Sequence, residues 1–484
     1  MAILDEIESL LLANFPRHST VEDGLAEQGV PSTSIAVLDN GVLSTRCYST
    51  LGDTTSTAFQ ACSISKAINA FATMRLVDAG RLTLAGTLAE LLPKEFLDLL
   101  ADGSPENQRP LIESITVKQL LSHTSGISPS GFPGYSSTCS VPSLQQIVAG
   151  TKPANTVRFR MTSPPGSRYS YSGAGATLLQ IILENVMGQS YPDLMHDLVL
   201  EPLGMTRSFY GPLAKSEGKD VAHPYSNGHA ECEEGHHHLP ELAAAGLWST
   251  PTDLLNVVRD VQKSLNGDGG LLRRETAKEM ITEVRGHMAL GWETINDDKV
   301  VFGHSGSNHP GYRCILVGFA KRGDKQVPPY SGIAIMTNST PGLRVWLQLL
   351  HAISALKGWP FPSYPDMVPS LGRPATESGN DWKEWKGAWT GHDAEEGERH
   401  WCVLRESGDG LPEVVYQGLG AIHLLPAVDS RRRETTSGNG NGGFLDFIFE
   451  GMAVMLVRLV EGSDGARALK LAVMGGKCVE LQRE

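Results

Sequence analysis

Phe59-Gln60-Ala61-Cys62-Ser63-Ile64-Ser65-Lys66-Ala67-Ile68-Asn69-Ala70 is the stretch from which the rest of the chain can be read. It sets Ser63 and Lys66 three residues apart where a helix opens, and residues at that spacing share one helical face. A hydroxyl is a poor nucleophile until a base removes its proton. A lysine one turn away, with its pKa lowered by burial and neighbouring positive charge, can take that proton and hand it on. Ser65 lies between the two and points elsewhere. The run from Ala70 to Gly80 continues the helical period and ends on a glycine suited to a C-cap. The plain structural alternative makes Ser63 a helix N-cap and Lys66 a solvated first-turn lysine, and the Ser-x-x-Lys spacing alone does not choose between them.

On the N-terminal side, Thr33–Leu38 and Val42–Tyr48 read as strands around Asp39-Asn40-Gly41, and Asn-Gly between β-rich runs is a strong hairpin signal. A hairpin feeding straight into the Ser63 helix implies an antiparallel sheet with a helix packed on it. On the other side, Leu82–Gly126 reads as helical with breaks, and Gly131–Pro165 as loops with one helix around Leu144–Val148. The aromatic and hydroxyl-rich loop Pro165–Gly175 opens a helix over Ala176–Gly188. The loop Asp220–Leu239 leads to a helix that Thr250 or Ser249 can cap, with Pro251 at its start. Met288–Trp292, Lys299–Gly306, Tyr312–Val317 and Ile333–Thr337 extend the sheet, and Leu343–Leu356 closes the unit as a helix.

The expected fold class is therefore mixed α/β (α+β): an antiparallel sheet flanked by helices plus a mostly helical region, followed by a small C-terminal β domain. The domain division runs 1–357, a Pro/Gly/Ser-rich linker over 358–381, and a small β domain over 382–484, for which a barrel is one arrangement open, carrying a low-complexity loop at Ser430–Gly443. Trp382, Trp385 and Trp389 are expected in its core.

The 484 residues carry a net charge of −13, which argues against a nucleic-acid surface or an anionic membrane as partner. No apolar run reaches the roughly 18 residues of a membrane span. Seven scattered cysteines, none in a Cys-x-x-Cys pair, suit reduced thiols, and the acidic N-terminal helix over residues 1–12 is unlike a signal peptide. A cytoplasmic location is the resulting expectation.

Three separated stretches, Ser63-Ile64-Ser65-Lys66, Tyr171-Ser172-Gly173 and His304-Ser305-Gly306, resemble in order and spacing the active-site motifs of the serine β-lactamase and penicillin-binding-protein-like superfamily. The likeness is strongest to its class C β-lactamase-related esterase and acyltransferase branch. It runs from about Ser32 to Thr340 and includes Leu120–Gly126 and Gly246–Asp253. The resemblance implies a β-lactamase/transpeptidase-like fold with Ser63 as the nucleophile of an acyl-enzyme. Lys66 and Tyr171 would share acid and base duty, the tyrosine tuned toward phenolate by the lysine. The backbone N–H groups of Ser63 and Ser307 would form the oxyanion hole. His304 stands where β-lactamases usually carry a lysine, and Gly173 where an asparagine usually anchors an acylamino group, which leaves room for an ester. Tyr169 rivals Tyr171 for the tyrosine role, but Tyr171 keeps the register with Gly175, Leu178 and Leu179. Gly173, Gly306 and Trp248 are the expected substrate-binding residues, with Trp292 a further candidate wall.

Gly303-His304-Ser305-Gly306-Ser307 nearly matches a nucleophile elbow, but the last glycine is missing and no helix follows. His229, Cys232, His236, His237 and His238 fit no zinc spacing and read as a flexible loop able to act as a lid. The functional expectation is a serine hydrolase acting on small esters or related acyl compounds, with no metal or organic cofactor and a small-molecule acyl substrate as its partner. The alternatives are an acyltransferase to an alcohol or amine, a D-amino-acid peptidase or amidase, and a non-catalytic binding module.

Overall fold

The computed structural model describes the chain apart from residues 1–2, 14, 16–17, 103–107, 137–138, 212–219, 227–229, 234, 295–300, 321–328, 361–382, 384–385, 393–398, 407–411, 417–419, 427–443, 450–455, 462–466, 474–476 and 484. The chain divides near Pro362, and each unit has its own architecture.

In the first unit, helix α1 (Ile3–Ala13) buries Leu4, Ile7 and Leu11, and Arg46 bonds its outer face through Asp5 and Glu8. Strands β1 (Ser32–Asp39) and β2 (Val42–Ser49) turn at Asn40 and Gly41, both at positive φ as a tight hairpin requires. The short strands β3 (Phe59–Gln60), β4 (Phe209–Tyr210) and β5 (Leu247–Ser249) form a small antiparallel sheet with β5 in the middle. Late in the unit come β6 (Glu293–Thr294), β7 (Val301–Asn308), β8 (Tyr312–Phe319) and β9 (Gly332–Thr337). These join the N-terminal hairpin in an antiparallel sheet of order β6-β7-β8-β9-β1-β2, so the two ends of the unit meet where β1 pairs with β9. The expected strand at Met288–Trp292 is not formed: the strand beside β7 is β6, which starts only at Glu293, and before it Gly291 turns left-handed where the chain passes close to Ala70 and the Lys66 carbonyl.

Helix α2 (Ile64–Asp78) begins at the Ser-x-x-Lys stretch and ends before Gly80, which takes the left-handed conformation expected of a C-terminal stop. It is buried almost all round, because it is packed against the sheet as well as the helical region. Of the other helices, α4 (Gly173–Met187) and α5 (Leu242–Ala245) pack on it, α3 (Val117–Leu121) packs on α4, and α6 (Pro251–Asn266) and α7 (Gly342–Lys357) pack on the sheet. Ser172 caps α4 by accepting from Gly175 N–H, and Thr250 caps α6 by accepting from Asp253 N–H.

In the second unit the described strands, from Gly387–His392 to Lys477–Arg483, close into an eight-stranded antiparallel barrel. Trp389 is fully buried. Trp382, Trp385, the low-complexity loop at 430–443 and the linker from residue 361 on lie outside the described residues.

Gly306 on β7 fixes how closely α2 can approach the sheet. A Cβ there would lie 2.6 Å from Cys314 Sγ, 2.7 Å from Cys62 Cβ and 2.9 Å from the Ala61 carbonyl oxygen. Gly306 therefore faces the chain behind Ser63, and what it admits is the start of α2. Gly306→Ala is expected to cost about 1–3 kcal/mol through overpacking. It should also lower the reactivity of Ser63. Urea denaturation checks the first effect, and an unchanged midpoint would contradict this packing.

Candidate active site

The site is built where the first turn of α2 meets the open edge of β7. Ser63 does not cap its helix, since its side chain makes no cap hydrogen bond. Lys66 is not solvated either, being 4% exposed. Both halves of the plain structural alternative therefore fail. Lys66 Nζ lies 3.1 Å from Ser63 Oγ and donates to the Ala244 carbonyl oxygen at 2.8 Å. Ser65 points away, donating to the Cys62 carbonyl and accepting from Leu247 N–H, which ties α2 to β5.

Tyr171, on the loop before α4, completes the group. Its hydroxyl is hydrogen-bonded to Ser63, and Lys66 Nζ stands 4.8 Å from its ring centre. Tyr169 does not share this place: it stands edge-on to His123 at 6.4 Å and is 36% exposed. His123 holds Tyr171 where it is. At φ +54° the His123 imidazole turns back, accepts from Ser172 N–H at 3.1 Å and lies 4.5 Å from the Tyr171 ring. The Leu120–Gly126 landmark thus has a physical role as the seat of the tyrosine loop.

Burial sets the charge states. Desolvation lowers the Lys66 pKa to about 7, so a large share of the amine is neutral near neutral pH and carries a lone pair. Burial raises the Tyr171 pKa, and its hydrogen bond with Ser63 only partly opposes this. The expectation of a phenolate is therefore corrected: Tyr171 is a phenol, suited to donating a proton. His304 lies 6.2 Å from Tyr171 between ring centres, and its Nδ1–H donates to the Ser305 carbonyl at 2.6 Å. Burial, and then the charge of Lys66, depress its pKa to about 3. His304 is therefore a neutral imidazole and supplies no cation where a lysine would.

Glu293 on β6 escaped the sequence reading. Its carboxylate accepts from Ser305 N–H and lies 3.9 Å from His304 Nδ1. Desolvation raises its pKa to about 7 against the pull of Lys66. Its bond to Ser305 also orients the oxyanion site. N–H groups alternate in direction along a strand, so Ser307 N–H points to the same edge as Ser305 N–H. There β6, which meets β7 at Phe302 and Gly303, has ended. Ser63 N–H lies ahead of the helical ladder. The two N–H groups can converge on a developing oxyanion.

Other expected site residues fall elsewhere. Trp248 is 5% exposed, stacked on Phe209 at 6.0 Å and edge-on to Tyr312 at 5.7 Å, so it is core and not a cleft wall. Trp292 is fully buried against Phe302. Gly306 faces Cys62, as described above. The near-elbow serine, Ser305, sits within strand β7 and not on a strand-to-helix turn. His229 lies outside the described residues. The described part of the histidine-rich loop is pinned and does not form a free lid. Tyr135 and His238 exchange backbone bonds at 2.7 and 2.8 Å, and Gln60 Nε2 donates to the His237 carbonyl at 2.9 Å. Among the described residues, the three that could together hold a cation are the exposed His196, Asp197 and Glu201, outside this loop.

A family model described as Beta-lactamase matches residues 18–355. Protein flp of Staphylococcus aureus (strain NCTC 8325) is 26% identical over 301 residues, 59% of this chain and 57% of that protein. Penicillin-binding protein 4 of Amycolatopsis lactamdurans is 30% identical over 194 residues, 38% of this chain and 46% of that protein. The chain thus matches about half the length of these curated relatives. Among solved structures, an octameric penicillin-binding protein homologue from Pyrococcus abyssi has a TM-score of 0.57 at 20% identity, with full coverage of both chains. SurE has a TM-score of 0.55 at 20% identity, again with full coverage of both. A class C beta-lactamase mutant has a TM-score of 0.52 at 18% identity, covering 73% of this chain and 97% of its own. These likenesses show the fold.

Lys66→Ala and Tyr171→Phe are each expected to slow acylation by about 10²–10⁴-fold, the usual contribution of a positioned proton-transfer group. Because both act on one proton of Ser63, the double variant should lose far less than the product of the two. Stopped-flow acylation with an activated ester, on proteins with unchanged circular dichroism, checks this. Multiplicative losses would contradict a shared relay.

Proposed function

Because this chain belongs to the beta-lactamase family, we propose that it works as a serine hydrolase through an acyl-enzyme on Ser63, with small esters or related acyl compounds as substrates. The carrying observation is Ser63 Oγ held between Lys66 Nζ at 3.1 Å and the Tyr171 hydroxyl.

Neutral Lys66 takes the Ser63 proton as Oγ attacks the ester carbonyl. Ser63 N–H and Ser307 N–H receive the oxyanion. Tyr171 gives its proton to the departing alkoxide and is reprotonated from the Lys66 ammonium, so an alcohol leaves and Ser63 carries the acyl group. Water then attacks the acyl carbon and its proton travels the same relay in reverse, releasing the acid and restoring Ser63. The relay uses this chain's own groups throughout.

Two features support an ester over a β-lactam or a peptide. His304 is neutral and offers no charge partner to a substrate carboxylate. Gly173 carries no amide to hold an acylamino group, and its own N–H is already committed to the Ser130 carbonyl at 2.9 Å. Hydrolysis and transfer to an alcohol or amine share every step up to the acyl-enzyme, so the acceptor is what separates an esterase from an acyltransferase. A D-amino-acid amidase would use the same nucleophile, whereas a binding module would have no need of a serine held between a buried lysine and a tyrosine hydroxyl.

The test is to react the protein with a panel of activated esters and β-lactams and follow adducts by intact mass, with and without alcohol and amine acceptors. Esters should acylate faster than β-lactams, and water should suffice for deacylation. Ser63→Ala should abolish the adduct while Ser305→Ala retains it. Labelling that survives Ser63→Ala and is lost in Ser305→Ala would overturn the site. Deacylation that needs an alcohol or amine would reassign the protein as an acyltransferase.

A further inference from the structure

The loop that covers the start of α4 specifies the acyl group more narrowly than the catalytic residues do. Gly173, the first residue of α4, stands two positions after Tyr171 and so within about 7 Å of it, Cα to Cα. A Cβ on Gly173 would lie 2.7 Å from the Ser130 carbonyl oxygen and 2.8 Å from Phe132 Cε2. The space of a side chain at 173 is thus already taken by a backbone carbonyl and the rim of an aromatic ring.

The loop also consumes the polar groups that α4 would otherwise present. Gly173 N–H donates to Ser130 O at 2.9 Å, Ala174 N–H to Pro129 O at 3.0 Å, and Gly175 N–H to Ser172 Oγ at 2.8 Å. No donor of this first turn remains for a polar acyl substituent. Nor can the loop easily swing away. Phe132 packs on the fully buried Phe159 at 6.0 Å between ring centres. Asn155 Nδ2 donates to Gly134 O at 2.7 Å, and His237 Nδ1 to Pro133 O at 2.9 Å. Phe132 itself is only half-buried, so part of its ring stays accessible next to Gly173.

We infer that Phe132 is the specificity-determining residue of this site: its ring replaces a residue-173 side chain as the wall facing the acyl group, and it admits small apolar acyl groups while rejecting bulky or acylamino-substituted ones. The inference rests on the acyl-enzyme reading proposed above. An acylamino group brought against this wall would lose its water and find neither donor nor acceptor, whereas a short alkyl group loses nothing.

The test compares p-nitrophenyl acetate with p-nitrophenyl phenylacetate and an N-acylglycine p-nitrophenyl ester on wild type, Phe132→Ala and Phe132→Leu. A change of this size in an apolar pocket is worth about tenfold or more in discrimination. Phe132→Ala should therefore raise kcat/KM for phenylacetate relative to acetate by about tenfold or more, with Phe132→Leu in between. The N-acylglycine ester should gain less, since truncation adds space but no partner. Labelling of Ser63 by a small fluorophosphonate, with circular dichroism, identifies the variants that are folded and keep the nucleophile, and the acyl preference is read on those. Should Phe132→Ala fail to fold, Phe132→Leu decides alone. Unchanged acyl preference in a folded variant that still acylates on Ser63 would overturn the role of Phe132. Absence of acylation of Ser63 by any ester in the wild type would instead overturn the acyl-enzyme reading, and this inference with it.

Discussion

The site depends on keeping one amine out of water. Lys66 would be an ammonium in solvent and useless as a base. Beneath Ser63, with the Ala244 carbonyl as its fixed partner, its pKa falls to about 7 and the lone pair becomes available. Much of the surrounding structure reads as the means of that burial. Helix α2 is enclosed on nearly all sides, Gly306 and Gly291 let it approach the sheet and the β6 turn, and the pinned loop up to α5 delivers the Ala244 carbonyl.

Around the lysine, His304 and Tyr171 carry no charge, while Glu293 is part-ionised near neutral pH and pulls the Lys66 pKa upward against its desolvation. His304 is a neutral imidazole, Tyr171 a phenol, and Glu293 a carboxyl whose pKa has risen to about 7. Charged neighbours would move the Lys66 pKa: a carboxylate would raise it, and a second cation would lower it further while attracting anionic substrates. The proposed relay between Ser63, Lys66 and Tyr171 needs no fixed cation beside it, and His304 supplies none. The aromatic wall at Phe132 is consistent with the same economy of polar contacts.

Much of the fold was legible because local chemistry specifies it. Asn40-Gly41 gave the hairpin, Thr250-Pro251 the start of α6, Gly80 and Gly188 the helix ends, and Ser63 and Lys66 fall on one helical face as their spacing requires. What sequence could not reach depends on distant residues meeting. Trp248 and Trp292 had two plausible positions, and packing against Phe209, Tyr312 and Phe302 chose the core. Glu293 lies on a two-residue strand with no periodicity to mark it. The direction of the Tyr171 shift turned on how completely the ring is desolvated, which a neighbouring lysine in the sequence does not reveal. The histidine-rich loop looked mobile by composition, and it is backbone bonds to Tyr135 and a side-chain bond from Gln60 that hold its described part.

The most direct test of a neutral buried lysine is to observe its ionisation. Protein carrying ¹³Cε-labelled lysine, with the Lys66 resonance assigned by its loss in Lys66→Arg, can be titrated by NMR alongside the pH dependence of Ser63 acylation. The account predicts that this resonance titrates near pH 7, far below the other lysines, and that acylation rises with pH through the same midpoint. A Lys66 resonance that titrates with the surface lysines near the ordinary value of about 10.4, while acylation is already complete at neutral pH, would contradict it.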